Sequence, residues 1–231
     1  HLLVSGDGSE SRGSPRSQEV EREIFWLIIH RCLSCGIMHS YMSLLRFLFV
    51  IYGVCLKALG YNPGTPWQNR AAFAALKEDG TVMAWGNSGF GGNDVPLGLN
   101  YVNVIYATAG AFAALKEDGT VQAWGNSNYG GSGVPSGLSG VKTIYTSYGA
   151  FAALKDDSTV TAWGHSDYGG DGPQGLSGVK TISSNPHAFA ALKEDGTVVA
   201  WGDPDMGGSK VPMSASHVKA IYSNGQAFAA L

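Results

Sequence analysis

Charge is scarce in this chain and unevenly spread. Only 14% of its 231 residues are Asp, Glu, Lys or Arg. From Ala71 onward there is neither arginine nor cysteine, because all six arginines and all three cysteines lie in residues 1–70. The later region holds eight lysines against thirteen acids, net −5, and residues 1–70 are net +2. An acidic region with no basic stripe argues against direct nucleic-acid binding, which depends on neutralising phosphates. Three cysteines gathered at one end do not make a disulfide framework. There is no Ser-His-Asp order, no phosphate-binding glycine loop leading into a helix, and no zinc-protease helix. These absences point to a protein that is not an enzyme and needs no cofactor, and they leave its compartment open. A membrane span needs about 20 mostly apolar residues, and the longest apolar core, Phe47–Leu56, is about half that.

The first 70 residues read as a different polypeptide from the rest. Residues 1–18 are rich in Ser, Gly and Arg with no apolar period, as in a flexible tail. The chain opens on His1, which suggests a processed product or a fragment. Residues 19–60 form a hydrophobic helical segment: Glu19, Glu21 and Glu23 precede Ile24–Ile29, and a second apolar stretch runs from Tyr41 to Leu59. Residues 61–70, with Asn62-Pro63-Gly64, are a linker. Two readings stand for residues 24–59: contact with a membrane or membrane complex, and a helical hairpin packed on protein. Cys32 and Cys35 form a CxxC between His30 and His39, the residue types that bind zinc. A lone CxxC without a second pair is a weak signal, so no metal site is assigned.

Residues 71–231 are organised by one stretch. Ala72–Gly86 reads AFAALKEDGTVMAWG, and close copies stand at Ala111–Gly125, Ala150–Gly164 and Ala188–Gly202. The tryptophans Trp85, Trp124, Trp163 and Trp201 are spaced 39, 39 and 38 residues apart, a period that marks a repeat architecture. Each unit predicts three strands. Two flank an Asp-Gly turn, read as a type I′ hairpin, with Asp157-Ser158 a poorer variant. The third covers Val102–Ala107, Val141–Thr146, Val179–Ser184 and Val218–Ser223. The Phe, Leu and Trp of each unit fill the space between sheets, and the alanines let sheets approach. The fold class is therefore all-β, a β-propeller or partial propeller of three-stranded, roughly 39-residue blades, after a short α-helical segment. Leu231 falls inside a fifth copy, so truncation is the favoured reading, beside small-ring closure and completion by a partner.

Leu115-Lys116-Glu117-Asp118-Gly119, Trp124-Gly125, Tyr129-Gly130, Val134-Pro135 and Ser139-Gly140-Val141 carry a family resemblance. The repeat resembles the regulator of chromosome condensation superfamily, and is similar to its short-repeat branch, which contains the type II β-lactamase inhibitory protein. That resemblance implies a propeller whose loops on one face meet protein partners, and small-GTPase regulation is a function some relatives carry. Two departures are plain: alanine and phenylalanine, as in Ala111-Phe112, replace the family's His-Ser, and Gly-Gly replaces its Gly-Gln. No residue of a relative's exchange or inhibitory site can be matched here.

Where the copies differ, function can sit. One variable set follows each tryptophan and contains Phe90, Asn128, Tyr129, His165, Asp167, Tyr168, Asp205 and Met206. The other precedes each phenylalanine strand and contains Tyr148 and His187. Each set is expected to form its own circular patch. Aromatic rims of this kind are favoured at protein interfaces, and these ten residues are the candidate partner-binding set. The alternative role for the aromatics is to cap blade edges. The leading expectation is a non-catalytic scaffold binding protein partners through its loops. The alternative is an accessory subunit docked into a larger complex by residues 24–59.

Overall fold

Each AFAAL segment alternates small and large residues, and that period of two decides how the sheets stack. In the computed structural model, which describes residues 69–209, 211–212 and 215–231, three of these five segments are the middle strands of three-stranded antiparallel sheets, and the first and last pair within two-stranded sheets. Two units divide the chain, residues 1–53 and 54–231, and the described residues belong to the second. The expectations for residues 1–18, 19–60 and 61–68, including His30, Cys32, Cys35 and His39, lie outside the described residues.

Strands β1 (Ala72–Leu76) and β2 (Val82–Gly86) pair as a hairpin. Three complete blades follow: β3 (Val102–Ala107), β4 (Ala111–Lys116) and β5 (Val121–Gly125); β6 (Val141–Thr146), β7 (Ala150–Lys155) and β8 (Val160–Gly164); β9 (Val179–Ser184), β10 (Ala188–Lys193) and β11 (Val198–Gly202). A last pair, β12 (Ile221–Ser223) and β13 (Phe228–Ala230), closes the series. β12 covers only the last part of the expected Val218–Ser223, and Leu231 N–H donates to the Ala220 carbonyl just before it. Together these sheets are the blades of a β-propeller-type array.

Within a blade, the phenylalanine stacks on the tryptophan opposite it across the ladder, as Phe151 does on Trp163 at 5.1 Å between ring centroids. That bulky face, with Ile144 and Ala153, packs against Ala111, Ala113 and Leu115 of the blade before it. The same arrangement repeats where Phe112 and Trp124 meet Ala72, Ala74 and Leu76, and where Phe189 and Trp201 meet Ala150, Ala152 and Leu154. Large side chains on one face thus fill the space left by small ones on the next, and Phe151 and Phe189 are wholly buried.

Three of the junctions also carry the same directed bond from a tryptophan. The Trp124 indole N–H donates to the Gly91 carbonyl, Trp163 to Gly130 and Trp201 to Gly169, each at 3.1 Å. The acceptor glycine ends a 3-10 turn in the preceding blade's loop and lies against the next blade's rings. Gly130 adopts φ +86°, and a Cβ there would come within 2.7 Å of the Phe151 ring. Its neighbour Gly131 has no room either, since a Cβ would meet the Gly125 backbone at 2.4 Å. The Gly-Gly pair is what this close approach requires. Among the described tryptophans, Trp85 is the one with a buried indole N–H and no partner.

The hairpins differ from the expected type I′ form. Gly80 N–H donates to the Lys77 carbonyl and Lys77 N–H to the Thr81 carbonyl, and of the turn residues only Gly80 has positive φ, +75°. This is a three-residue loop in which a turn over Glu78-Asp79 ends on a left-handed glycine. Ser158 takes the same place at φ +62°, a strained position for a residue with a Cβ. Asp79 Oδ1 accepts from both the N–H and the hydroxyl of Thr81, and Asp118, Asp157 and Asp195 repeat this with their own threonines. Those bonds favour the carboxylate and hold Asp79 and Asp157 at about 2, below the ordinary 3.8.

Two outcomes follow. A depressed folded-state pKa contributes stability that is whole above pH 3.8 and lost as pH falls through about 2. Denaturation midpoints measured across that window should fall with acid, and replacing the four aspartates by asparagine should flatten the slope. Trp163→Phe should cost on the order of 2 kcal/mol, as lost packing plus an orphaned carbonyl. Trp85→Phe, which breaks no hydrogen bond, should cost less than half as much in the same urea titration.

Candidate protein-binding face

The loop after each outer strand is built the same way in every blade. A polar cap residue, Asn87, Asn126, His165 or Asp203, accepts a backbone N–H two residues on and starts a 3-10 turn. The turns, Ser88–Phe90, Ser127–Tyr129, Ser166–Tyr168 and Pro204–Met206, each end on a large side chain followed by a left-handed glycine. Phe90, Tyr129, Tyr168 and Met206 therefore sit at equivalent heights, half-buried.

A second set of residues holds them there. Thr108 Oγ1 donates to the Tyr129 carbonyl at 2.8 Å, and Ser147 Oγ to the Tyr168 carbonyl at 2.7 Å. Asn69 Nδ2 and Asn185 Nδ2 donate to the carbonyls of Phe90 and Met206, both at 2.7 Å. Each latch residue also accepts the backbone N–H of the alanine that opens its phenylalanine strand. All four are buried, and each is satisfied as donor and acceptor. Thr108, Ser147 and Asn185 fall in the second variable set, and Asn69 just before the first copy. The signal that could have found their role is a small hydrogen-bonding residue three places before every such alanine.

The expected pair of separate patches is in fact a single row. Ring centroids run from Phe90 to Tyr129 at 6.2 Å, Tyr129 to Tyr148 at 5.7 Å, Tyr148 to Tyr168 at 5.3 Å and Tyr168 to His187 at 5.3 Å. His165 joins from the side, 5.2 Å from Tyr168. The strand-entry loop of one blade inserts its ring between the turn of that blade and the turn of the one before. Backbone bonds from Ala109 N–H to the Tyr148 carbonyl and from Tyr148 N–H to the Pro186 carbonyl fix that insertion. Burial, and next the neighbouring Tyr148, raise the Tyr129 phenol above its ordinary range.

Of the ten candidate residues, the structure brings Phe90, Tyr129, Tyr148, His165, Tyr168 and His187 into this row. Met206 continues the series of turn ends. Asn128, Asp167 and Asp205 are the exposed middle residues of their turns, and the backbone N–H of each donates to the cap residue of its own turn. Asp167 lies 3.9 Å from His165 Nδ1. Among the described residues no group of three His, Cys, Asp or Glu is placed to hold a metal ion. Among the described residues, too, no helix is long and apolar enough to cross a membrane.

The blades define the class of protein, a β-propeller-type repeat array, and comparisons with known proteins add the following. No family model and no curated protein matches the sequence. Solved structures similar to the chain include human WBSCR16, at 19% identity over 71% of this chain and 57% of that one, with a TM-score of 0.48. Yeast RCC1 (Prp20), crystallised with Kap60, is similar at 22% identity over 69% of this chain and 46% of that one, with a TM-score of 0.42. Prp20p from Saccharomyces cerevisiae in a second structure gives 16% identity over 69% and 48%, with a TM-score of 0.45. The chain spans about half the length of these structures.

The latch geometry sets its own test. Ser147→Ala leaves the Tyr168 carbonyl and the Ala150 N–H without their buried partner, at a cost of about 1–3 kcal/mol. Thermal denaturation should show that loss, and near-ultraviolet circular dichroism should show weakened tyrosine signals. Ser147→Thr, which keeps the hydroxyl as Thr108 does, should preserve both.

Proposed function

We propose that the chain is a non-catalytic scaffold that binds protein partners through the loop face carrying the aromatic row. The observation that carries this reading is the row itself: five rings from both variable loop sets, each half-buried, set side by side on a framework of buried latches. Rigid aromatic side chains lose little rotamer freedom on docking and present a large contact area, which is why Tyr and Trp dominate interface hot spots. The copies keep their strands nearly identical and vary these positions, so variety is confined to the face a partner would meet. Carboxylates of Asp167, Asp171, Asp203 and Asp205 stand in the same loops and favour a partner surface that is not itself acidic.

The test is comparative capture. The intact chain and a Tyr148→Ala/Tyr168→Ala variant, matched for folding by circular dichroism, would be used as baits beside a control altered at the opposite ends of the blades, Glu117→Ala/Glu194→Ala. Proteins retained by the intact chain should fall at least tenfold with the tyrosine variant and persist with the control. Retention unaffected by loss of the two tyrosines overturns the reading.

A further inference from the structure

The charge of the repeats is divided unequally between the two ends of the blades. Each of the four hairpins carries two acids. Their lysines, Lys77, Lys116, Lys155 and Lys193, each lie 3.1–3.5 Å from an aspartate of the same hairpin. Lys142, Lys180 and Lys219 stand at that end too, each one residue after a valine. Val141 and Val179 pair with Lys155 and Lys193, and Lys219 N–H donates to the Leu231 carbonyl. Eight acids there meet seven lysines, so the hairpin end is close to neutral. The acids that remain from Ala71 onward are Asp94, Asp167, Asp171, Asp203 and Asp205, and all five follow an outer strand, on the side of the 3-10 turns. The excess negative charge of the repeats therefore gathers where the aromatic row is.

These carboxylates are open to a ligand. Asp94, Asp167, Asp171 and Asp205 are exposed and Asp203 is half-buried. Among the described residues, the one basic group within 4 Å of any of them is the His165 imidazole, 3.9 Å from Asp167. The one described arginine or lysine at this end is Arg70, next to Asn69, which latches the Phe90 turn.

The rings at the same end suit a cation. Successive planes in the row are tilted by 37–59°, so no ring is covered flat by its neighbour, and their centroids step by 5.3–6.2 Å. An extended or polyproline II chain advances about 6.2–6.8 Å for every two residues, so its alternate side chains keep near pace with the row. A cation within about 6 Å of a ring centroid is drawn to the ring face. Arginine joins both features, because its planar, weakly hydrated guanidinium stacks on a ring while its N–H fork reaches a carboxylate. An apolar or proline-rich segment would use the rings and leave the carboxylates without partners. An acidic segment would be repelled by them.

We propose that the row binds an extended peptide segment with arginine at alternate positions, its guanidinium groups lying against successive rings and forking to the carboxylates of Asp167 and Asp205. This rests on the reading of the row as the partner-binding face and names the chemistry that the face takes.

The experiment titrates fluorescein-labelled peptides with the full chain and reads anisotropy at about 0.05 and 0.2 M salt. The probes are Arg-Ser repeated four times, its lysine, glutamate and proline counterparts, and a blocked peptide of four arginines followed by four serines. The alternating arginine peptide should bind at least fivefold tighter than the lysine and blocked peptides, and more weakly at the higher salt. The glutamate and proline peptides should not saturate. Tyr148→Ala/Tyr168→Ala should weaken the arginine peptide at least tenfold. Asp167→Asn/Asp205→Asn, which alters two exposed side chains and leaves the turns folded, should weaken it several-fold. Glu117→Gln/Glu194→Gln removes the same two charges at the hairpin end and should leave the affinity unchanged. Equal affinity for the lysine or blocked peptide overturns the proposal, as does tighter binding of the proline peptide or an equal effect of the glutamate and aspartate pairs. So does an arginine peptide that shows no saturable binding up to about 1 mM. In that case the scaffold reading stands if comparative capture still depends on Tyr148 and Tyr168, and falls as well if it does not.

Discussion

The bond from a tryptophan indole to a glycine carbonyl in the preceding blade is the constraint on which the array depends. A sheet face of phenylalanine, isoleucine and tryptophan against a face of alanine and leucine would bury apolar area at many relative heights, since the hydrophobic effect has no direction. The indole N–H does have one. It accepts only the offset at which its carbonyl lies 3.1 Å away, and the same distance at three junctions shows the same offset each time. Because the accepting glycine ends the loop's 3-10 turn, the bond that sets blade against blade also positions the loop. Packing and the candidate binding face are therefore one construction.

The latches extend that logic outward. Asn69, Thr108, Ser147 and Asn185 differ in chemistry but share a donor and an acceptor at the same reach, and each joins the start of a middle strand to the end of a turn. The rings that emerge rest on each other across blades, so the row is both a surface and a seal over the loops. Of the two roles considered for these aromatics, partner rim and blade cap, the second has a direct contact behind it: Tyr129 lies so close to Gly110 that a Cβ there would come within 2.8 Å of its ring.

Much of the fold was legible in the sequence because strand periodicity and a fixed repeat are local signals. The bounds of β3, β6 and β9 follow from the recurring valine-led segments, and the alternation in AFAAL shows which faces are small and which are large. The turn type was not legible, since Asp-Gly is common to two-residue and three-residue loops and only the backbone bonds at Lys77 and Gly80 separate them. The site was half legible. Ten candidate residues were visible as variation between copies, but Tyr129, Tyr148 and Tyr168 become neighbours only through the offset between blades, which no spacing within one unit contains. The latches were harder still, because asparagine, threonine and serine differ in chemistry, and their shared place three residues before an alanine gains meaning only once their common bonds are seen.

One property of the latches reaches beyond stability. They grip the backbone carbonyl of each turn-end residue and leave its side chain free of any role in the grip. Phenylalanine, two tyrosines and a methionine occupy the four turn ends over one unchanged set of bonds. The scaffold is in that sense indifferent to what it displays. New side chains could be written into positions 90, 129, 168 and 206 as letters into a fixed frame, and a chain that duplicates its unit gains a further letter each time.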